Sequence, residues 1–174
     1  MTAEQLCHIS YPDKCTELVR GKLVVREPAG YRHGRVVARL TKVLADHVDA
    51  NELGEILGAE TGFTIFRDPD TVRAPNVGFV RRERVPVPVP TGYAELAPDL
   101  VVEVLSPDDR PGQVLAKVGD WLEAGVQLVW VVDPQRRKAH IHRADGSTAV
   151  IDDVDMLEGE DAVPGFVCRL DTIL

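Results

Sequence analysis

A chain of 174 residues, 44% hydrophobic and 28% charged, is sized for one domain (1–174) with a core of its own, and it excludes wholesale disorder. Its 20 Lys and Arg against 28 Asp and Glu leave a net charge of −8, which opposes a broad nonspecific DNA-binding face, because such affinity comes from phosphate neutralisation. The opening MTAEQLCHISYPDKC lacks the basic and apolar regions of a signal peptide, and no apolar run nears the about 18 residues of a membrane span. A cytoplasmic protein with no membrane association is expected.

Residues 17–27, ELVRGKLVVRE, predict a β-hairpin with Gly21 near its turn. A long helix begins around His33, where Val36, Leu40, Val43, Leu44, His47 and Val48 recur at helical spacing, and Asn51 and Gly54 suit its exit. Two strands follow, 55–66 and 72–80, separated by the turn RDPDT. VPVPVPTG, Val85 to Gly92, is too rich in proline for an interior strand and is expected as a loop or edge. Asp99 to Leu105 is short, β-branched and apolar, as a buried central strand should be. A second helix spans about 111–124, with Val114, Val118, Trp121 and Leu122 inward and Gly125 ending it. Gln127 to Val132 reads as another buried strand, and 137–151 as a hairpin turning at Asp145-Gly146. PGFVCRLDTIL closes the chain as a strand or short helix. The order helix, strand, strand, strand, helix, strand, with β extensions at both ends, predicts a mixed α/β sheet with helices against it.

Cys7, Cys15 and Cys168 are odd in number and loosely spaced, which argues against a disulfide framework. Cys7, His8 and Cys15 lack a fourth metal ligand nearby and read as reduced thiols. Two basic clusters, Arg73/Arg81/Arg82/Arg84 and Arg136/Arg137/Lys138, are either solvated turns or local anion-binding patches.

Two segments echo one another: APNVGFV, Ala74 to Val80, and APDLVVEVLSP, Ala97 to Pro107. The second carries acids at Asp99 and Glu103; the first has Asn76 where its echo has a carboxylate. A buried strand should not hold carboxylates unless they are paired or bind a cation. Glu103 is therefore either an acid bonded to backbone or arginine, or a metal ligand or general base. Asp99 and Glu103 share a strand face but stand ~13 Å apart, too far for one ion's inner shell. Asn76 on the preceding strand is the nearer co-ligand if the strands pair, though Mg²⁺ favours carboxylate over a neutral amide. Lys117, on the flank of the second helix's apolar stripe, either reaches water or meets Glu103 and stabilises a developing oxyanion.

APDLVVEVLSPDDR, then Lys117, then WLEAGVQLVWVVDPQRRKAHIHR resemble the Uma-type family of bacterial endonucleases, in the PD-(D/E)XK, restriction endonuclease-like superfamily. ELVRGKLVV, the helix after His33, RAPNVGFVRRERV and the final PGF follow the same layout over nearly the whole chain. The resemblance implies a restriction endonuclease-like mixed β-sheet flanked by helices with β-hairpin extensions. It also implies Mg²⁺-dependent hydrolysis of DNA phosphodiesters, with Mn²⁺ as a substitute ion. The family's first acid lands on Asn76 and its second on Glu103. The superfamily's lysine would stand at Leu105; in this family a lysine from the next helix takes its part, and that lands on Lys117. Asp99 matches the family's PDLVVEV run, binding a second ion or bracing the strand. The implied catalytic residues are thus Glu103, Lys117 and Asp99, and the implied metal ligands Glu103, Asn76 and Asp99. Glu60 and His33 are peripheral candidates, each with a structural reading beside it.

Two functions compete. One is an Mg²⁺-dependent DNA endonuclease weakened by Asn76; the other is a catalytically silent binding or regulatory module on the same fold. A homo-oligomer, first of all a dimer, is expected in either case. A small-molecule hydrolase has no support, since G-x-S-x-G, the Walker loop and H-E-x-x-H are absent.

Overall fold

A computed structural model describes residues 1–9, 11–59 and 61–174. The predicted hairpin forms from β1 (Cys15–Val19) and β2 (Lys22–Arg26). Its turn residues Arg20 and Gly21 are both left-handed, at φ 48° and 74°, which matches the right-handed twist of the flanking strands. A short helix that periodicity did not signal, α1 (Ala3–Cys7), precedes it and is closed by a capping box between Thr2 and Gln5.

The first long helix is α2 (Tyr31–Ala50), and Val36, Leu40, Leu44 and Val48 are its fully buried stripe. Burial of four such side chains, each contributing about 1.5–3 kcal/mol, is what holds the helix in place. Gly54 does more than follow the helix. It opens β3 (Gly54–Leu57) where an added Cβ would stand 2.1 Å from the Val80 carbonyl oxygen.

The two strands expected at 55–66 and 72–80 are each two strands. β3 is followed by β4 (Phe63–Phe66), and β5 (Thr71–Arg73) by β6 (Val77–Arg81). In each pair the members lie in different sheets. Residues 74–76 carry the chain from β5 to β6, and Pro75 has no N–H to continue a ladder. The predicted order survives as α2–β3–β6–β7–α3–β8, where β7 is Leu100–Val104, α3 is Pro111–Glu123 and β8 is Leu128–Asp133.

β9 (Lys138–Arg143) and β10 (Thr148–Asp152) complete a six-stranded mixed sheet ordered β10-β9-β8-β7-β6-β3, in which β7 and β8 run parallel. The four-stranded sheet β2-β1-β5-β4 lies beside it. The tail holds both alternatives expected of it: β12 (Val167–Arg169), paired with β11 (Met156–Glu158), then a 3-10 turn at Leu170–Thr172. Leu100, Val102 and Val104 of β7 point into the α2-side core, and Val101 into the α3-side core. The Val-Pro segment is a loop, with Val87 and Val89 exposed. Among the described residues no helix is long and apolar enough to cross a membrane.

Candidate active site

β7 alternates strictly, so Glu103 faces the α3 side between Val101 and Leu105. It is buried there, and the chain supplies partners for both oxygens. The Lys117 ammonium lies 2.9 Å from Oε1 and 3.0 Å from Oε2, and Trp121 Nε1 donates to Oε1 at 2.9 Å. Lys117 and Trp121 are four apart on α3, one helical turn, which presents both donors to the same strand position. Lys117 is itself buried, so the snorkelling alternative does not hold. Its remaining hydrogens go to the Ala74 carbonyl oxygen at 2.9 Å and to Glu17 Oε1 at 2.9 Å.

Glu17, on β1, is the residue that sequence reasoning missed. Its Oε1 also accepts from the Ala74 N–H at 3.0 Å, and its Oε2 takes Arg73 Nη1 at 3.0 Å. Arg73 in turn donates through Nε to Asp120 on α3 at 3.0 Å. The signal that singled out Glu103, an acid inside a short apolar strand, was present at Glu17 too; reading 17–27 only as a hairpin hid it. Burial pulls the Glu17 carboxyl upward, but the charges of Lys117 and Arg73 and the Ala74 N–H outweigh it and hold it at about 2. Glu103 moves the other way. Burial raises its carboxyl, Lys117 opposes the rise, and the charge of Glu17 adds to it. Burial alone would lower Lys117, yet the two carboxylates raise it and keep it protonated. One ammonium serves two acids.

Asn76 does lie beside β7, as the expected strand pairing requires. β6 runs antiparallel to β7, and Asn76 sits one residue before β6 with its N–H on the Val102 carbonyl oxygen. Its side-chain Oδ1 accepts the Val104 N–H at 2.7 Å. His33, near the start of α2, meets Asn76, the Val104 backbone and the charge of Asp109; burial dominates and lowers its pKa. Asp109 caps the Ser106 N–H at 2.7 Å and lies 3.5 Å from Arg26. The cluster therefore sits at one end of the central sheet, with the start of α2 on one side and α3 on the other.

Asp99 does not join it. It lies before β7, at the opposite end from Val104, and is 1% exposed. Its Oδ1 receives Arg84 Nη1 at 2.7 Å and its Oδ2 the Arg81 N–H at 2.9 Å. It braces the β6–β7 end, and the catalytic and metal roles expected of it have no geometric support. Glu60 lies outside the described residues. The basic clusters are largely matched internally: Arg73 to Glu17 and Asp120, Arg82 to Glu52, Arg84 to Asp99, Arg136 to Asp133, Arg137 to Asp153 and Lys138 to Asp152.

Of the three expected metal ligands, then, Asn76 is held on the Val104 N–H, Glu103 meets Lys117 and Trp121 on the α3 side, and Asp99 lies at the other end of the strand. Among the described residues no group of three or more His, Cys, Asp or Glu has the arrangement to hold an ion. Asn76 offers a neutral oxygen already bonded to backbone, and Glu103 has both oxygens on buried donors. The cation that balances these carboxylates is Lys117. As arranged, the residues do not fit an Mg²⁺ ion, which favours carboxylate oxygens and retained waters.

The model of the Uma2 family, described as "Putative restriction endonuclease", matches residues 2–171. No curated protein matches the chain. Among solved structures, a putative nuclease belonging to DUF820 from Anabaena variabilis ATCC 29413 superposes with a TM-score of 0.86 at 19% identity. The match covers 99% of this chain and 97% of that one. At that identity the likeness establishes a shared fold, a mixed α/β architecture of several sheets with few helices.

Proposed function

The chain belongs to the Uma2 family, and from that premise we propose that it is a DNA nuclease working at the Glu103–Lys117 pair, one carboxylate short of full strength. The observation that carries this reading is the pair itself: a carboxylate in a buried strand, met by a buried ammonium from the next helix. The raised carboxyl of Glu103 suits it to accept a proton from an attacking water. Lys117, kept protonated by two acids, supplies positive charge for the oxygens of a pentavalent phosphorus. Trp121 fixes the Glu103 carboxylate from the helix side.

Asn76 sets the strength. It stands where the family places its first acid, and its amide brings no charge. Mg²⁺ or Mn²⁺ enters the proposal through the substitution that restores that charge, Asn76→Asp. The test is plasmid nicking with either ion. We expect slow nicking by the wild type, at least about tenfold faster nicking by Asn76→Asp, since the carboxylate gives an ion an anionic oxygen that the amide lacks, and none by Glu103→Gln, which removes the base. No nicking by both the wild type and Asn76→Asp would overturn the reading.

That outcome would favour the second reading, a silent module that keeps the fold for binding, assembled as a homodimer. Its specific support is the Asn76 Oδ1 bond to the Val104 N–H, which makes the amide a structural clamp between β6 and β7.

A further inference from the structure

We infer that the outer face of α2, together with Arg110, is the surface that receives the phosphate backbone of a nucleic acid and leads it to the Glu103–Lys117 site. The choice of nucleic acid as partner rests on the nuclease reading; the surface itself rests on how charge is distributed over the molecule. Despite the net charge of −8, most of the cations are matched to a carboxylate. Among the described residues, those with no carboxylate partner are Arg20, Lys22, Arg32, Arg35 and Arg110, while Arg39 donates through Nη1 to the Leu174 main-chain oxygen at 2.9 Å. Arg20 and Lys22 flank the β1–β2 turn. The other three, Arg32, Arg35 and Arg110, gather around the start of α2 and the start of α3.

On α2 the pattern is regular. Arg32, Arg35 and Arg39 are exposed and form a strip along one edge of the buried stripe of Val36, Leu40 and Leu44. They cover ~10 Å of helix axis, and Lys42 extends the same face by another turn. No acid occurs between Tyr31 and Ala45; the first are Asp46 and Asp49, in the last turns. This is the reverse of the usual arrangement, which puts acids at the helix N-terminus and bases at the C-terminus to complement the macrodipole. Arg32, in the first turn, is repelled by the positive end of the helix dipole, and Arg35 and Arg39 follow with no acid between them. Folding alone does not favour such a placement, whereas an anionic partner does.

The location connects the face to the site. His33, between Arg32 and the rest of the stripe, touches Asn76 and the Val104 backbone, so the arginines begin at the mouth of the cluster. Arg110 is exposed at the N-cap of α3, the helix that delivers Lys117. The charges that oppose it there are Asp108, exposed, and Asp109, which is capped on Ser106 and near Arg26. Tyr31, 89% exposed at the head of the stripe, offers a flat ring on which a base can stack.

The experiment is fluorescence anisotropy with a short labelled DNA duplex and the matching single strand, without divalent ions, over a series of salt concentrations. Two double variants each remove two unpaired cations: Arg32→Gln with Arg35→Gln, and Arg20→Gln with Lys22→Gln as the control. The inference expects the α2 pair to weaken binding about tenfold or more and to lower the slope of log affinity against log salt by about two. The control should stay within about twofold of wild type. Arg110→Gln should lower that slope by about one. Equal losses in the two double variants, no DNA binding by the wild type, or binding only to vesicles of anionic lipid would each overturn it. If nothing nicks but the α2 pair loses binding, the surface stands and the nuclease reading falls. If nicking stands and the α2 pair binds and nicks as wild type, the reverse holds.

Discussion

The two ends of β7 carry the same anomaly with different consequences. Asp99, one residue before β7, and Glu103, within it, are both buried acids. At the Asp99 end each oxygen has its own donor, and the partner arginine, Arg84, is 40% exposed at its side chain. Charge there is settled pairwise, with water in reach of the cation. At the Glu103 end the partner is Lys117, itself only 8% exposed and shared with Glu17. Around it the buried network sets Glu17, Glu103 and Asp120 against Lys117 and Arg73. A buried acid does not mark a site.

Substitutions can break that contrast. The largest effect is expected from Lys117→Met, which strands two buried carboxylates and should destabilise the fold by about 3–5 kcal/mol in urea denaturation. A loss under about 1 kcal/mol would mean that the Glu103 end is as freely solvated as the other.

Acid should separate the two ends next. Glu17 ionises at about 2 in the folded chain against an ordinary 4.5, so its contribution is full above about 4.5 and disappears as pH falls toward 2. The shift corresponds to a loss on the order of 3 kcal/mol. Glu103, whose carboxyl is raised, has the opposite sign: protonation relieves the cost of its buried charge. Melting temperatures recorded between these pH values should fall more steeply for wild type than for Glu17→Gln; parallel curves would remove Glu17 from the network.

Asp99→Asn should cost about 1–3 kcal/mol, because a buried acceptor site is weakened while Arg84 can turn to water. It should leave any nicking per folded molecule unchanged, and a drop would return Asp99 to the chemistry. Asn76→Asp sharpens the comparison by adding a carboxylate at the Glu103 end. Without metal it should destabilise by about 1 kcal/mol, through a raised carboxyl near Glu103. With Mg²⁺ its melting temperature should rise more than that of wild type. An identical metal response in both proteins would rule out an ion contact at position 76. Arg82→Ala, which breaks an exposed pair with Glu52, should change stability by less than about 0.5 kcal/mol and calibrates the scale.

Much of this was legible locally. The β1–β2 hairpin, the apolar stripe of α2, the burial of Leu100 to Val104 and the loop at Val85 to Gly92 follow from periodicity and from glycine and proline placement. So did Glu103 and Lys117 as residues out of character with their surroundings. The division of 55–66 and 72–80 between two sheets was not legible, because a strand's pattern records which face is apolar and not which strand lies beside it. Asp99 and Glu103 looked alike for a similar reason: four residues apart on one face, they differ only in which arginine, lysine or acid other segments bring to them.

By itself, then, the sequence determined the elements, their inward faces and the presence of charged groups in buried strands. Those depend on side-chain spacing along the chain and on the cost of burying charge, both local quantities. Only the tertiary structure decided which of those charges meet. Glu17 reaches Lys117 from 100 positions away and Arg73 from 56, with Ala74 bonded to both Glu17 and Lys117. Electrostatic pairing acts through space and falls off with distance, so the partner of a buried acid is set by the packing of sheets and helices and not by its neighbours in the chain.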